Sequence, residues 1–244
     1  MRTIAILPIK TFDAAKERLS ASLGGGSRQA LAQAMFSDVL SSLRHAPELD
    51  AIAVVTANPT ARMAAGRTGA VVLDDPHEAG QSAAAAIGIR HALEYGYERA
   101  LLVPGDMPLL DPAELADLLL RSEQDGVSVA IVPDRHGAGT NALVLRPPEA
   151  IDPSFGPNSL ARHVAAAGDA GLTHGVEELP SLMLDVDTPD DLAALGERLG
   201  ERRGRAAQTR GALRQLERMR TGAAPVAPDG DPPGSVSAAA RVRT

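Results

Sequence analysis

Cysteine and tryptophan are absent from the 244 residues, and two tyrosines and three phenylalanines are the whole aromatic set. Without cysteine there are no disulfides, thiolate metal sites or cysteine nucleophiles, so any metal must sit on carboxylates, carbonyls or histidines. So few rings leave almost nothing on which to stack nucleic-acid bases, and a formal net charge of −7 argues against a phosphate-backbone binder. No window reaches the roughly 18 uninterrupted apolar residues of a membrane span, and the apolar run in MRTIAILPIK is too short for a signal peptide. The expectation is a soluble, cytoplasmic protein that binds neither nucleic acid nor membrane. Lysine is scarce too: Lys10 and Lys16 are the only two, against 22 arginines, and both follow the first apolar run.

The charge is unevenly spread. Residues 201–244 carry +5 and the rest −12, and the last stretch, GAAPVAPDGDPPGSVSAAARVRT, has no periodic apolar pattern. This reads as a domain over 1–200 followed by a basic, Pro/Gly/Ala-rich, disordered tail over 201–244, in which TRGALRQLERMR could form a basic amphipathic turn or two. The arginines read either as a solvated tail or as a contact for an acidic partner.

Before residue 200, short aliphatic runs alternate with helical patterns. The runs are TIAILPI, AIAVVT, AVVLD, ALLVPGD, VSVAIV, NALVLR and SLMLDVD. Asp111-Pro112 and Thr188-Pro189-Asp190-Asp191 mark helix starts. The alternation predicts an α/β fold, a mostly parallel sheet sandwiched by helices, with ligands bound beyond the carboxyl ends of the strands.

Four loops carry distinctive chemistry. The first holds Lys10, Lys16 and Arg18 without a P-loop or dinucleotide-binding glycine pattern, and suits a polyphosphate; Ser27, after its glycine run, is a candidate helix cap. The second ends in Gly105-Asp106-Met107-Pro108, where Asp106 either reaches Mg²⁺ or caps a turn. The third, DRHGAGTNAL, is either an anion-approaching loop with the Thr140 hydroxyl or an ordinary glycine-rich hairpin. In the fourth, FGPNSLARH, Gly156, Asn158 and Ser159 lead into a helix and form either an anion seat or an N-cap. Asp185 and Asp187, two apart on an extended stretch, face the same way and repel unless a cation or proton lies between them; with Asp106 they could complete a Mg²⁺ site.

LPIKTFDAAKERLS, VPGDMPLL, DRHGAGTNAL, FGPNSLARH and DVDTPDDL, in that order over residues 2–197, resemble the 2-phospho-L-lactate and phosphoenolpyruvate guanylyltransferase family of coenzyme F(420) biosynthesis. The resemblance implies a nucleotidyltransferase fold of glycosyltransferase-A type and a Mg²⁺-dependent transfer of GMP from GTP to a phosphorylated three-carbon acid. It places that acid on Thr140, Gly156 and Ser159, and the metal on Asp106 with Asp185 and Asp187. It places the GTP triphosphate on Lys10, Lys16 and Arg18, with Lys16 and Asp106 at the chemistry. Gly80-Gln81-Ser82 stands where relatives often read Gly-Leu-Asn, so Gly80 and Ser82 are expected beside the nucleotide, with base preference left open. His163, beside Arg162, is expected near the acceptor phosphate.

Phosphoenolpyruvate is the expected acceptor; 2-phospho-L-lactate and 3-phosphoglycerate are alternatives. A transferase later in coenzyme synthesis is a candidate partner. Other readings are a related nucleotidyltransferase acting on a sugar phosphate or molybdopterin, and a non-catalytic nucleotide-sensing module.

Overall fold

The structure is a computed structural model describing residues 1–12, 16–20, 22–201 and 204–221. The first half alternates β1 (Thr3–Pro8), α1 (Gly25–Arg44), β2 (Ala51–Val55), α2 (Pro59–Arg67), β3 (Val71–Leu73), α3 (Gln81–Glu94) and β4 (Arg99–Leu102). It continues with α4 (Pro112–Gln124), β5 (Val129–Pro133), β6 (Thr140–Leu145), α5 (Ser159–Asp169), β7 (His174–Val176), α6 (Pro189–Glu201) and α7 (Ala207–Thr221).

The strands form one sheet in the order β3-β2-β1-β4-β6-β5-β7. Only β6 is reversed, running antiparallel to β4 and β5. Alternation along β1 sends Ala5 and Leu7 to one face, under α1, α2 and α4, and Ile4 and Ile6 to the other, under α3 and α5. On the second face α3 approaches β1 closely: a Cβ on Gly88 would lie 2.3 Å from Ile6 Cγ2. No helix among the described residues is long and apolar enough to cross a membrane.

Local start signals are obeyed. Asp111 caps α4 by accepting from the Ala113 amide at 3.0 Å, and Pro112 opens the helix. Ser27 is not a cap, because α1 begins at Gly25 behind Gly24.

Two organisational expectations need correction. The last run, SLMLDVD, is not a strand; β7 is His174–Val176, while residues 184–187 cross as irregular chain. Their alternation survives, since Leu184 and Val186 are buried and Asp185 and Asp187, which alternate with them, are only half-buried. The tail does not begin at 201: α7 packs against α1, burying Thr209 and Leu216. Its leucines, invisible as a long periodic pattern, join a cluster with Leu31 and Met35 of α1. The remainder of the expected tail, 222–244, lies outside the described residues.

Asp38 in the middle of α1 holds α7 in place. Its two carboxylate oxygens accept from the amides of Gln208, at 3.1 Å, and Thr209, at 2.7 Å. The cap is therefore supplied from a different helix, 170 residues away. Asp38→Ala is expected to cost about 1–2 kcal/mol, read as a lowered midpoint in thermal or urea unfolding; an unchanged midpoint would show that α7 contributes little.

Candidate active site

The register brings the first three loops to one edge, and the fourth joins them at a shared cavity. Pro8 lies beside Val55, Val55 beside Leu73, and Ile6 beside Leu102, so the chain leaves β1, β2, β3 and β4 on the same side. Because β6 is reversed, its first residue, Thr140, comes to that edge as well, paired with Pro133. Two cavities open there, of about 320 and 410 Å³. Gln81, Pro104, Asp106 and Asp187 line both. They form the wall where bound molecules would meet.

Lys10, Lys16 and Gly80 line the first cavity, together with Phe12, Phe36 and Asp75. Lys16 has a left-handed backbone, φ 58°, unusual for a side-chain-bearing residue. Its ammonium donates to Asp106 Oδ2 at 2.5 Å and to Asp187 Oδ1 at 2.9 Å, with the side chain only 7% exposed. Burial alone would lower the Lys16 pKa, but the two carboxylates outweigh it and hold it above the ordinary lysine value.

Asp106 stands on a rigid turn. A Cβ on Gly105 would lie 2.3 Å from Ile9 Cδ1, and Met107 is buried. Asp106 Oδ1 is buried without a hydrogen-bond partner. Asp185 lines the second cavity, and its pKa is raised to about 6, first by burial and then by the charges of Asp106 and Asp187. Asp187 is steadied from behind: Asp191 Oδ2 accepts from its amide at 3.1 Å and from the Thr188 amide and hydroxyl, both at 2.7 Å. Arg135 reaches the other Asp191 oxygen at 2.6 Å. Burial opposes ionisation of Asp191, yet the Thr188 and Asp187 hydrogen bonds hold its pKa below the usual range.

The three expected metal ligands thus converge without forming a ready cage. Among the described residues no group of three His, Cys, Asp or Glu side chains is disposed to hold an ion. Lys16 stands between two of them instead. The donor set still suits a hard divalent cation, because it is all carboxylate oxygen and Asp106 Oδ1 lacks a partner.

The second cavity brings together Thr140, Gly156 and Ser159. Gly156 has φ 111°, which favours glycine, and Asn158 turns left-handed before α5. The expected seat of free helix amides is partly spent: Ser159 N–H donates to Gly156 O at 3.1 Å, and Leu160 N–H to Ala138 O at 3.2 Å. The positive end of α5 remains. Arg162 braces this loop through the carbonyls of Ser154 and Pro157. His163 does not face the cavity, being 0% exposed behind Thr140.

Two nucleotide-side expectations shift. Arg18 lines the second cavity with Thr140, not the first with Lys10. Ser82 lines neither; its hydroxyl accepts from the Phe155 amide at 2.9 Å and ties α3 to the loop before α5. Its neighbour Gln81 lines both cavities. One residue escaped sequence reading altogether: Asp75, 6% exposed, just beyond β3 in the first cavity. The pair Asp74-Asp75 after a predicted strand was the available signal, and only burial separates the two.

Residues 3–217 match the family model described as guanylyl transferase CofC like. The chain is 52% identical over 218 residues to phosphoenolpyruvate guanylyltransferase of Conexibacter woesei, covering 89% of this chain and 98% of the relative. It is 32% identical over 198 residues to 2-phospho-L-lactate guanylyltransferase of Methanothermobacter thermautotrophicus, covering 80% and 84%. Among solved structures, a nucleotide-diphospho-sugar transferase from Desulfovibrio desulfuricans superposes with a TM-score of 0.72 at 18% identity, over 91% of this chain and 98% of that one. CMP:2-keto-3-deoxy-manno-octonic acid synthetase, complexed with CTP, gives 0.57 at 12% identity, over 82% and 99%. At these identities the structures bear out the nucleotidyltransferase fold.

Proposed function

The chain belongs to the CofC-like guanylyltransferase family, and from that premise we propose that it transfers GMP from GTP to the phosphate of phosphoenolpyruvate. The products are a guanosine diphosphate-linked intermediate of coenzyme F(420) biosynthesis and pyrophosphate; 2-phospho-L-lactate is the alternative acceptor. The observation that supports this most is the pair of cavities meeting at Asp106 and Asp187, one carrying Lys10 and Lys16, the other Thr140, Gly156 and Ser159. Two anionic substrates that react with each other need this arrangement.

In the reaction an acceptor phosphate oxygen bonds to the α-phosphorus of GTP as the bond to the bridging oxygen of pyrophosphate breaks. The acceptor phosphate is already ionised near neutral pH, so no side chain needs to remove a proton. The difficulty is repulsion between two anions inside an acidic chain. Lys10 and Lys16 offset it on the triphosphate side, and Arg18, Thr140 and the α5 end on the acceptor side. Asp106, with Asp185 and Asp187, would hold Mg²⁺, which supplies further positive charge to the phosphates.

Asp75 fits recognition of guanine. Its carboxylate is buried in the nucleotide-side cavity, and only acceptors can pair with the N1–H and 2-amino donors of guanine. Asp75→Asn is expected to lower kcat/KM for GTP about 10–100-fold, because a buried donor would face a donor. The loss should be smaller for ITP, which lacks the 2-amino group. Equal losses for both nucleotides would move Asp75 away from the 2-amino group.

The direct test is pyrophosphate release with Mg²⁺, each of GTP, ATP and CTP, and each of phosphoenolpyruvate, 2-phospho-L-lactate and 3-phosphoglycerate. Release with GTP and phosphoenolpyruvate alone is the expected result. Release with a sugar phosphate and none of these acids would overturn it.

A further inference from the structure

We propose that His163 is a positioning residue for the acceptor, acting through the direction in which the Thr140 hydroxyl points its proton. The inference rests on the reading of Thr140 as an acceptor ligand. Two contacts of the imidazole determine the geometry. The Ser154 amide lies 2.8 Å from Nε2, and an amide can only donate, so Nε2 carries a lone pair. The proton of the neutral ring must then be on Nδ1, which lies 2.9 Å from Thr140 Oγ1. Thr140 therefore accepts from His163.

The consequence lies on the far side of the hydroxyl. A threonine oxygen that accepts from Nδ1–H keeps its own proton for another partner, and among the described residues no hydrogen bond from the Thr140 hydroxyl to a carbonyl or carboxylate is found. Thr140 lines the second cavity, so its proton is presented to an anion there. The opposite tautomer would set an Nε2–H against an amide N–H and let Thr140 turn its proton onto the histidine. An anion in the cavity would then meet lone pairs.

His163 is held neutral for this purpose. It is 0% exposed, and burial, helped by the Arg162 charge, pushes its pKa down to about 4. The ring also packs edge-on against Phe155, with centroids 5.4 Å apart. Packing alone is the competing explanation, and the variants separate the two.

The experiment measures KM for phosphoenolpyruvate and for GTP in His163→Phe, His163→Asn, Thr140→Val and the Phe/Val double variant of the full chain. His163→Phe keeps a ring but removes the donor, and should raise the acceptor KM by ~10-fold with GTP KM within about twofold. His163→Asn, whose amide can stand in for Nδ1–H, should recover most of that loss. The double variant should be no worse than Thr140→Val, because the histidine acts through that hydroxyl. In the wild type, long-range proton–nitrogen NMR should show protonated Nδ1 and bare Nε2 from about pH 6 to 8. Additive losses in the double variant, equal rises in both KM values, or a protonated Nε2 would overturn the inference. If Thr140→Val leaves the acceptor KM unchanged, the assignment of Thr140 fails and the inference with it. If Thr140→Val raises it and His163→Phe does not, the inference alone fails.

Discussion

Asp106→Asn is expected to lower kcat about 10³-fold while the chain still folds, with a lowered unfolding midpoint near neutral pH because buried Lys16 keeps only Asp187 as counter-ion. The side chain stands where the two cavities meet, on a turn locked by Gly105 against Ile9 and by buried Met107. The substitution barely changes volume, so the turn should keep its place. It does replace a charged oxygen by an amide in the site proposed to gather cations around phosphates. It also weakens the hold on Lys16, whose ammonium contacts Asp106 Oδ2.

Stability responds differently from activity, because three acids crowd this point. The Asp185 pKa is raised from 3.8 to about 6, so between those values the folded chain holds a proton that the unfolded chain has released. Its contribution is greatest below pH 3.8 and is lost as pH rises through about 6. Removing the Asp106 charge narrows the window, and the variant should lose less stability than the wild type between pH 4 and 6. Single-turnover pyrophosphate release and unfolding midpoints across that range check both halves. A kcat within about tenfold of wild type would remove Asp106 from the chemistry.

Lys16→Met should also lower kcat, about 10²–10³-fold, but it should strengthen binding of a divalent cation when no nucleotide is present. The Lys16 ammonium sits between Asp106 and Asp187. An incoming cation must compete with it for the same oxygens. Methionine keeps the length and removes the charge, leaving Asp106, Asp185 and Asp187 without their internal counter-ion. Losing the ammonium destabilises, since the repulsion among three crowded carboxylates is no longer offset. The variant should therefore unfold earlier than wild type in chelator and recover more on adding Mn²⁺, as linkage requires of a ligand that binds only the folded chain. Calorimetry with Mn²⁺ in place of Mg²⁺ should show at least ~10-fold tighter binding than wild type. Equal or weaker binding would mean that lysine and metal do not share the site.

The two lysines that stood out in the sequence stand in different surroundings. Lys10 is exposed at the mouth of the first cavity, while Lys16 is buried against carboxylates 90 and 171 residues away. Scarcity and spacing drew attention to both; neither could reveal the difference. Gln81 and Ser82 make the same point at shorter range, since adjacent helical positions point apart and only the packing of α3 on the loop before α5 decides which lines the cavities.

By itself the sequence determined what local rules govern: the aliphatic runs of β1 to β6, the Asp111-Pro112 start of α4, the glycine turns, and motifs specific enough to reveal the family. Alternate residues of 184–187 faced apart even though no strand formed there, because the apolar ones had to be buried. What only the tertiary structure decided is which groups meet. The order β3-β2-β1-β4-β6-β5-β7 and the reversal of β6 bring Thr140 to the edge where Asp106 stands. Packing buries Asp75 and not Asp74, turns α7 from a tail into part of the core, and gives His163 to Thr140 rather than to the cavity. Periodicity and caps arise from neighbours in the chain, whereas charge pairing, burial of single polar groups and tautomer choice arise from contacts across dozens of residues.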